Sequence, residues 1–163
     1  MNAVGAAATP PIFDQLLAQA RAAADTLEKN VYYEALAAAR DPVLAQRVLN
    51  DIAFDADVRN AEGARLVSIV AATHPQMALD FNDAHPEEMR ARVDSFSYLA
   101  YPPRLAASSN DPAMLTRIQT YIASLPENSR RNSQAGYAAL EERLGTRERR
   151  LNEISAWAGS RSR

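Results

Sequence analysis

The sequence predicts an all-α fold, an α-solenoid of HEAT- or armadillo-like helix pairs forming a curved stack. Three observations carry that prediction. Nearly half of the 163 residues are hydrophobic, and alanine, the strongest helix former, dominates that share. No segment alternates polar and apolar residues as a half-buried strand does. A helix-start motif also recurs, Asp41-Pro42-Val43-Leu44-Ala45-Gln46-Arg47-Val48 resembling Asp111-Pro112-Ala113-Met114-Leu115-Thr116-Arg117-Ile118. His74-Pro75-Gln76-Met77-Ala78 is a weaker copy between them. The starts lie 33 and 37 residues apart, the size of one helix-turn-helix unit in a stacked repeat array.

The elements follow in order. Thr9 with Pro10-Pro11 starts a helix, because a hydroxyl can cap and proline needs no backbone partner in the first turn. Ile12, Leu16, Leu17 and Ala20 then share a face of a helix running to about Asp25. Thr26 is the expected cap of the next helix, with Leu27, Val31, Ala35 and Leu36 inward and Tyr32 and Tyr33 flanking. Asp41-Pro42 starts a third, carrying Leu44, Val48, Leu49 and Ile52. Asp55 to Asn60 reads as a loop in which Asn60 caps a well-buried helix with Leu66, Val67, Ile69 and Val70.

His74-Pro75 and His85-Pro86 open two short helices, and Glu87 and Glu88 suit the positive start of the second. The pattern breaks between Ser95 and Pro103, and Pro102-Pro103 begins a short helix through Leu105. Asp111-Pro112 leads into Met114, Leu115, Ile118, Tyr121 and Ile122. After Pro126 comes a helix through Tyr137, Leu140 and Leu144, then a last one ending near Trp157. Gly145-Thr146 either separates these two or lies within one long helix, and Trp157 is expected to anchor the terminal helix to a neighbour. The expected organisation is a disordered lead-in over 1–10, a single helical-repeat domain over 11–158 and a flexible basic tail over 159–163.

The formal charge of −2 supplies no electrostatic basis for nucleic acid or an anionic membrane as partner. Six arginines fall between Arg143 and Arg163 and read as a solvated, locally basic face; Lys29 is the only lysine. Cysteine is absent, which excludes disulfides and thiolate ligands. No apolar run reaches membrane-spanning length, and the start lacks the features of a signal peptide. A cytoplasmic location is the default expectation, and an exported parent enzyme is compatible with the same residues.

Catalytic motifs are missing. The sequence has no His-Glu-x-x-His, no Gly-x-Ser-x-Gly and no glycine-rich phosphate loop. His74 and His85 stand eleven residues apart, each before a proline, where a histidine ends or caps a helix. With Asp80, Asp83, Glu87 and Glu88 nearby they compose the one conceivable cation site, the basis of a cryptic metalloenzyme reading. No catalytic or metal residue is assigned. The remaining binding candidates are Tyr98, Tyr101 and Arg104 in the irregular segment, where arginine could hold a peptide carboxylate in a two-pronged hydrogen bond.

Several segments, taken together, resemble the C-terminal helical domain of zinc aminopeptidases of the aminopeptidase N type, which include the puromycin-sensitive and endoplasmic-reticulum enzymes. They are Glu28-Lys29-Asn30-Val31-Tyr32-Tyr33-Glu34-Ala35-Leu36-Ala37, Asp41 to Leu49, Arg65 to Ala72, and His74 to Phe81. Within the last, Leu79 stands where the family usually has tryptophan. Ile154-Ser155-Ala156-Trp157 resembles the family's closing helix. The resemblance runs from about Ile12 to Trp157. It implies a helical-repeat bowl that closes over a separate catalytic domain, limits access to its site and can contact the far end of a peptide. The family's zinc-binding motif, downstream glutamate ligand and Gly-x-Met-Glu-Asn motif are not in this sequence. The resemblance therefore implies no cofactor in this chain, zinc in the missing catalytic domain, and that domain as partner, with peptide substrates engaged indirectly. The alternative is an autonomous helical-repeat scaffold for protein interaction.

Overall fold

The computed structural model describes residues 2–161, so Met1 of the expected lead-in and Ser162 and Arg163 of the expected tail lie outside the described residues. Among the described residues there are eleven α-helices and no strand. They form two compact units, Met1–Tyr98 and Leu99–Arg163. The division falls in the segment where the periodicity breaks. There the helices are only one or two turns long.

The first unit contains α1 (Asn2–Ala6), α2 (Pro10–Ala22), α3 (Thr26–Ala37), α4 (Pro42–Asp51), α5 (Asn60–Ala71), α6 (Pro75–Ala84), α7 (Pro86–Arg92) and α8 (Ser95–Tyr98). Sequence-adjacent helices pack on one another, α2 on α3 and α5 on α6 most extensively, and helices two apart also meet: α1 with α3, α3 with α5, α4 with α6 and α5 with α7. Helix starts at Pro10, Pro42 and Pro75 recur at 32 and 33 residues, so Thr9-Pro10 is an earlier member of the series that the internal similarity missed. Such pairs bury their apolar faces against sequence neighbours.

Local chemistry explains the boundaries. Asp41 caps α4 by accepting from the backbone N–H of Val43 at 2.8 Å and Leu44 at 3.3 Å. α3 is capped by Asp25, one residue before the expected Thr26, accepting from Leu27 and Glu28. Neither Thr9 nor Asn60 makes the expected side-chain cap: Asn60 is already helical, and Thr9 leaves the start of α2 to its two prolines. The buried set of α2 is Phe13, Leu16 and Ala20, with Ile12 exposed. In α3 the inward face is rotated from the expected one. Tyr33, Ala35, Leu36 and Ala37 are buried, whereas Leu27 is 74% and Val31 39% exposed.

Within the segment expected as a lead-in, residues 2–6 are helical and pack on α3. Gly5 lies against the Ala35 carbonyl so closely that any Cβ there would overlap it. Gly63 of α5 likewise lies on the Ala53 carbonyl. Side chains tie neighbouring helices at their edges. The Arg47 guanidinium sits 4.5 Å over the Phe13 ring and binds Asp14 at 2.8 Å, and Arg65 of α5 bridges Glu62 and Glu34 of α3.

The second unit contains α9 (Tyr101–Ala106), α10 (Ala113–Ser124), a 3-10 turn over Glu127–Ser129 and α11 (Arg131–Arg161). Asp111 accepts from the Ala113 N–H at 2.9 Å, and Met114, Ile118 and Ile122 of α10 are buried. α11 is one helix of 31 residues, so Gly145-Thr146 lies within it and residues 159–161 of the expected flexible tail are helical. Gly136 brings α11 onto α9, where a Cβ would stand 2.7 Å from Pro103. From Arg147 to Ala158 the helix is exposed, and Trp157, at 57% exposure, anchors nothing among the described residues except a stack with Arg161.

Two alanine substitutions test this packing. Gly63→Ala gains helix propensity but must displace the Ala53 backbone, so it should destabilise by about 1–3 kcal/mol. A methyl group at Gly145 would meet nothing within 4 Å, so Gly145→Ala should stabilise by about 0.5–1 kcal/mol. Urea denaturation followed by circular dichroism should return opposite signs for the two.

Candidate functional site

A concave, largely apolar surface edged by polar side chains lies between α4 and α6 of the first unit. α4 presents Gln46 and Asn50 one turn apart, with the Gln46 amide donating to Asn50 Oδ1 at 2.9 Å. α6 repeats the device: Gln76 donates to Asp80 Oδ1 at 2.9 Å. Thr73, His74, Met77, Phe81 and His85 complete an open cleft of about 720 Å³. The i, i+4 spacing places each pair on one helix face, and the prolines at both N-termini fix where those faces begin.

The two histidines are drawn to different neighbours. The His74 Nε2–H donates to the Ala39 carbonyl at 3.1 Å, which fixes that nitrogen as the protonated one. The His85 ring packs among Phe81 at 4.7 Å and Phe54 at 5.3 Å, with Glu88 3.8 Å from its Nδ1. The Arg92 guanidinium lies 4.3 Å over the other partner of that cluster, Phe54. Among the described residues no three His, Cys, Asp or Glu side chains converge as a metal would require. The lining combines amide and carboxylate groups of α4 and α6 with an apolar floor of Met77 and Phe81.

The three candidates from the irregular segment divide between the units. Tyr98 ends the first, its ring buried and 5.3 Å beneath the Arg90 guanidinium. Tyr101 and Arg104 belong to the second, and the exposed Arg104 guanidinium stacks 5.6 Å over the buried Tyr101 ring. Arg104 alone of the three is exposed; both tyrosines are buried, each ring beside an arginine. Sequence reasoning missed Gln46, Asn50 and Gln76. The signal available was their i, i+4 pairing behind two helix-start prolines, but amides on a helix face resemble ordinary solvated surface.

Burial also marks two phenols. Burial raises Tyr98 above the usual 10.0, against an opposing pull from Arg90 and a hydrogen bond with Asn82. Tyr33 is raised by burial and then by the negative charges of Asp55 and Asp57. Its hydroxyl has no hydrogen-bond partner among the described residues.

A family model described as the ERAP1-like C-terminal domain matches residues 1–142. No curated protein matches the chain.

The raised phenols give a prediction with a definite sign. Folded Tyr33 and Tyr98 hold their protons above pH 10.0, where an unfolded tyrosine has begun to ionise. The folded state then binds more protons than the unfolded state, so stability should fall as pH rises through that window. Alkaline titration of phenolate absorbance should place Tyr33 and Tyr98 among the late-ionising tyrosines, and Tyr33→Phe should remove one of that group. Because that hydroxyl is buried without a partner, the same variant should be neutral or stabilising by about 1 kcal/mol at pH 7.

Proposed function

The chain belongs to the ERAP1-like C-terminal domain family, a domain associated with aminopeptidases, and on that footing we propose that it is the non-catalytic helical part of a zinc aminopeptidase. The supporting observation is the reach of the match, residues 1–142, through the stacked helices of the first unit and into the second. In this reading the helical pairs form a HEAT-like array that shapes the path of peptides to a separate catalytic domain and stabilises that domain. Zinc and the hydrolytic residues belong to the catalytic domain. Peptide contact falls to exposed groups, Arg104 over its Tyr101 platform in the second unit and the amides of the α4–α6 cleft in the first.

The chemistry fits a positioning role. An exposed guanidinium resting near a buried ring loses part of its freedom before it grips a carboxylate, and its fork matches the two oxygens. Extended peptides expose backbone N–H and C=O groups, which side-chain amides can satisfy without regard to sequence.

The test mixes the purified chain with an aminopeptidase catalytic fragment. Alone with added zinc, the chain should hydrolyse no aminoacyl substrate. With the fragment, it should raise the fragment's melting temperature and change the dependence of kcat/KM on peptide length. Arg104→Ala in the mixture should raise KM by about tenfold for peptides ending in a free carboxylate, and leave amidated peptides unaffected. Zinc-dependent hydrolysis by the chain alone would sink this reading. So would a mixture indistinguishable from the fragment, an outcome that favours the autonomous interaction scaffold.

A further inference from the structure

The last five turns of α11 carry chemistry that the aminopeptidase reading does not use, and they lie beyond the family match at residue 142. Arg143, Arg147 and Arg150 are exposed and make no hydrogen bond or ion pair among the described residues. The three line one open groove of about 540 Å³ with Asn110, Ala139, Glu142, Thr146 and Leu151. Like charges at three- and four-residue spacing repel on a helix, so this arrangement stores unfavourable electrostatics that an anion would relieve.

The same face continues as apolar surface. At 100° per residue, Arg143, Arg147, Arg150, Leu151, Ile154 and Trp157 fall within roughly a third of the helix circumference. Leu151, Ile154 and Trp157 are 47, 60 and 57% exposed. From Arg143 to Trp157 the strip is about 21 Å long. Arginine and tryptophan beside aliphatic side chains are the residue types that dominate binding energy at protein interfaces.

We infer that this face of α11 docks an acidic, amphipathic segment of a protein partner, with carboxylates on Arg143, Arg147 and Arg150 and apolar side chains on Leu151, Ile154 and Trp157. Charge complementarity selects this occupant. Helices that lie in an anionic membrane surround their apolar face with basic residues. Here Glu141 and Glu148 occupy the opposite side of the helix and Glu153 flanks the strip, which an anionic surface would repel. A free inorganic anion would use the arginines and leave the apolar half of the strip without a role.

The sole tryptophan, Trp157, provides the readout. The full chain is titrated with a peptide of three Glu-Glu-Leu-Leu repeats, with its Gln-for-Glu analogue, with phosphatidylserine vesicles and with inorganic triphosphate. The acidic peptide should shift Trp157 emission to the blue and bind at least about tenfold more tightly than the Gln analogue. The combined Arg143→Gln, Arg147→Gln, Arg150→Gln variant should lose about tenfold in affinity with unchanged helicity, and Ile154→Ser should weaken binding several-fold. Equal affinity of the triple variant and the parent chain would overturn the proposal. So would a Trp157 shift produced by vesicles or triphosphate and not by the peptide. Because the readout needs neither zinc nor hydrolysis, its failure is separable from failure of the aminopeptidase reading.

Discussion

The first unit depends on how closely other helices can approach α3. That helix meets α1, α2, α4 and α5, and its buried positions are mostly small: Ala35, Ala37 and, just beyond its end, Ala39. A stack built on alanine brings backbones together, and Gly5 carries the principle to its limit by resting on the Ala35 carbonyl. Close approach gives extensive dispersion contact and leaves no slack, because interiors are packed like organic crystals. Larger side chains then fill the gaps where helices diverge, among them Phe13, Tyr33, Leu36 and Leu66. Tyr33 shows the cost of that arrangement. Its ring fills space well while its hydroxyl goes without a partner, so shape has been favoured over hydrogen bonding.

Helix identity and most helix starts were legible in the sequence because they depend on local chemistry. Asp41-Pro42 and Pro102-Pro103 act on backbone groups within one turn, and both begin helices as their composition requires. The rotation of a helix about its axis was less legible. In α3 the apolar residues Leu27 and Val31 face solvent while Tyr33 is buried, because the neighbouring helices accept small residues and one large ring at that level. Periodicity counts apolar residues and cannot weigh the shape of a partner surface. Trp157 was misread for a related reason: a large aromatic residue suggests an anchor, but anchoring needs a neighbour within reach.

The site was less legible than the fold. Tyr98, Tyr101 and Arg104 are close in sequence, yet two of them are buried and only Arg104 faces outward. The cleft residues Gln46, Asn50 and Gln76 carry no distinctive signal, since an amide on a helix surface is ordinary until a second helix supplies the facing wall. Both surfaces share a construction. An aromatic or amide layer is fixed first by packing or by an i, i+4 hydrogen bond, and the charged or polar head is then held out from it.

That construction separates what stabilises the chain from what it presents. The alanine and leucine positions that set helix spacing are buried, and substitutions there propagate through the stack. The polar faces of α4, α6 and α11 contribute little to packing, so their chemistry can change with small cost to the fold. α11 contains both regimes in one element. Its first part, around Gly136 and Leu140, is pressed against α9 and α10, and there spacing dictates residue type. Past Leu144 the helix leaves the core, and only helix propensity and solvent constrain it. Apolar residues exposed in that second regime, aligned with unpaired arginines, have no explanation in the unit's own packing. Their cause must therefore be sought in something the face meets.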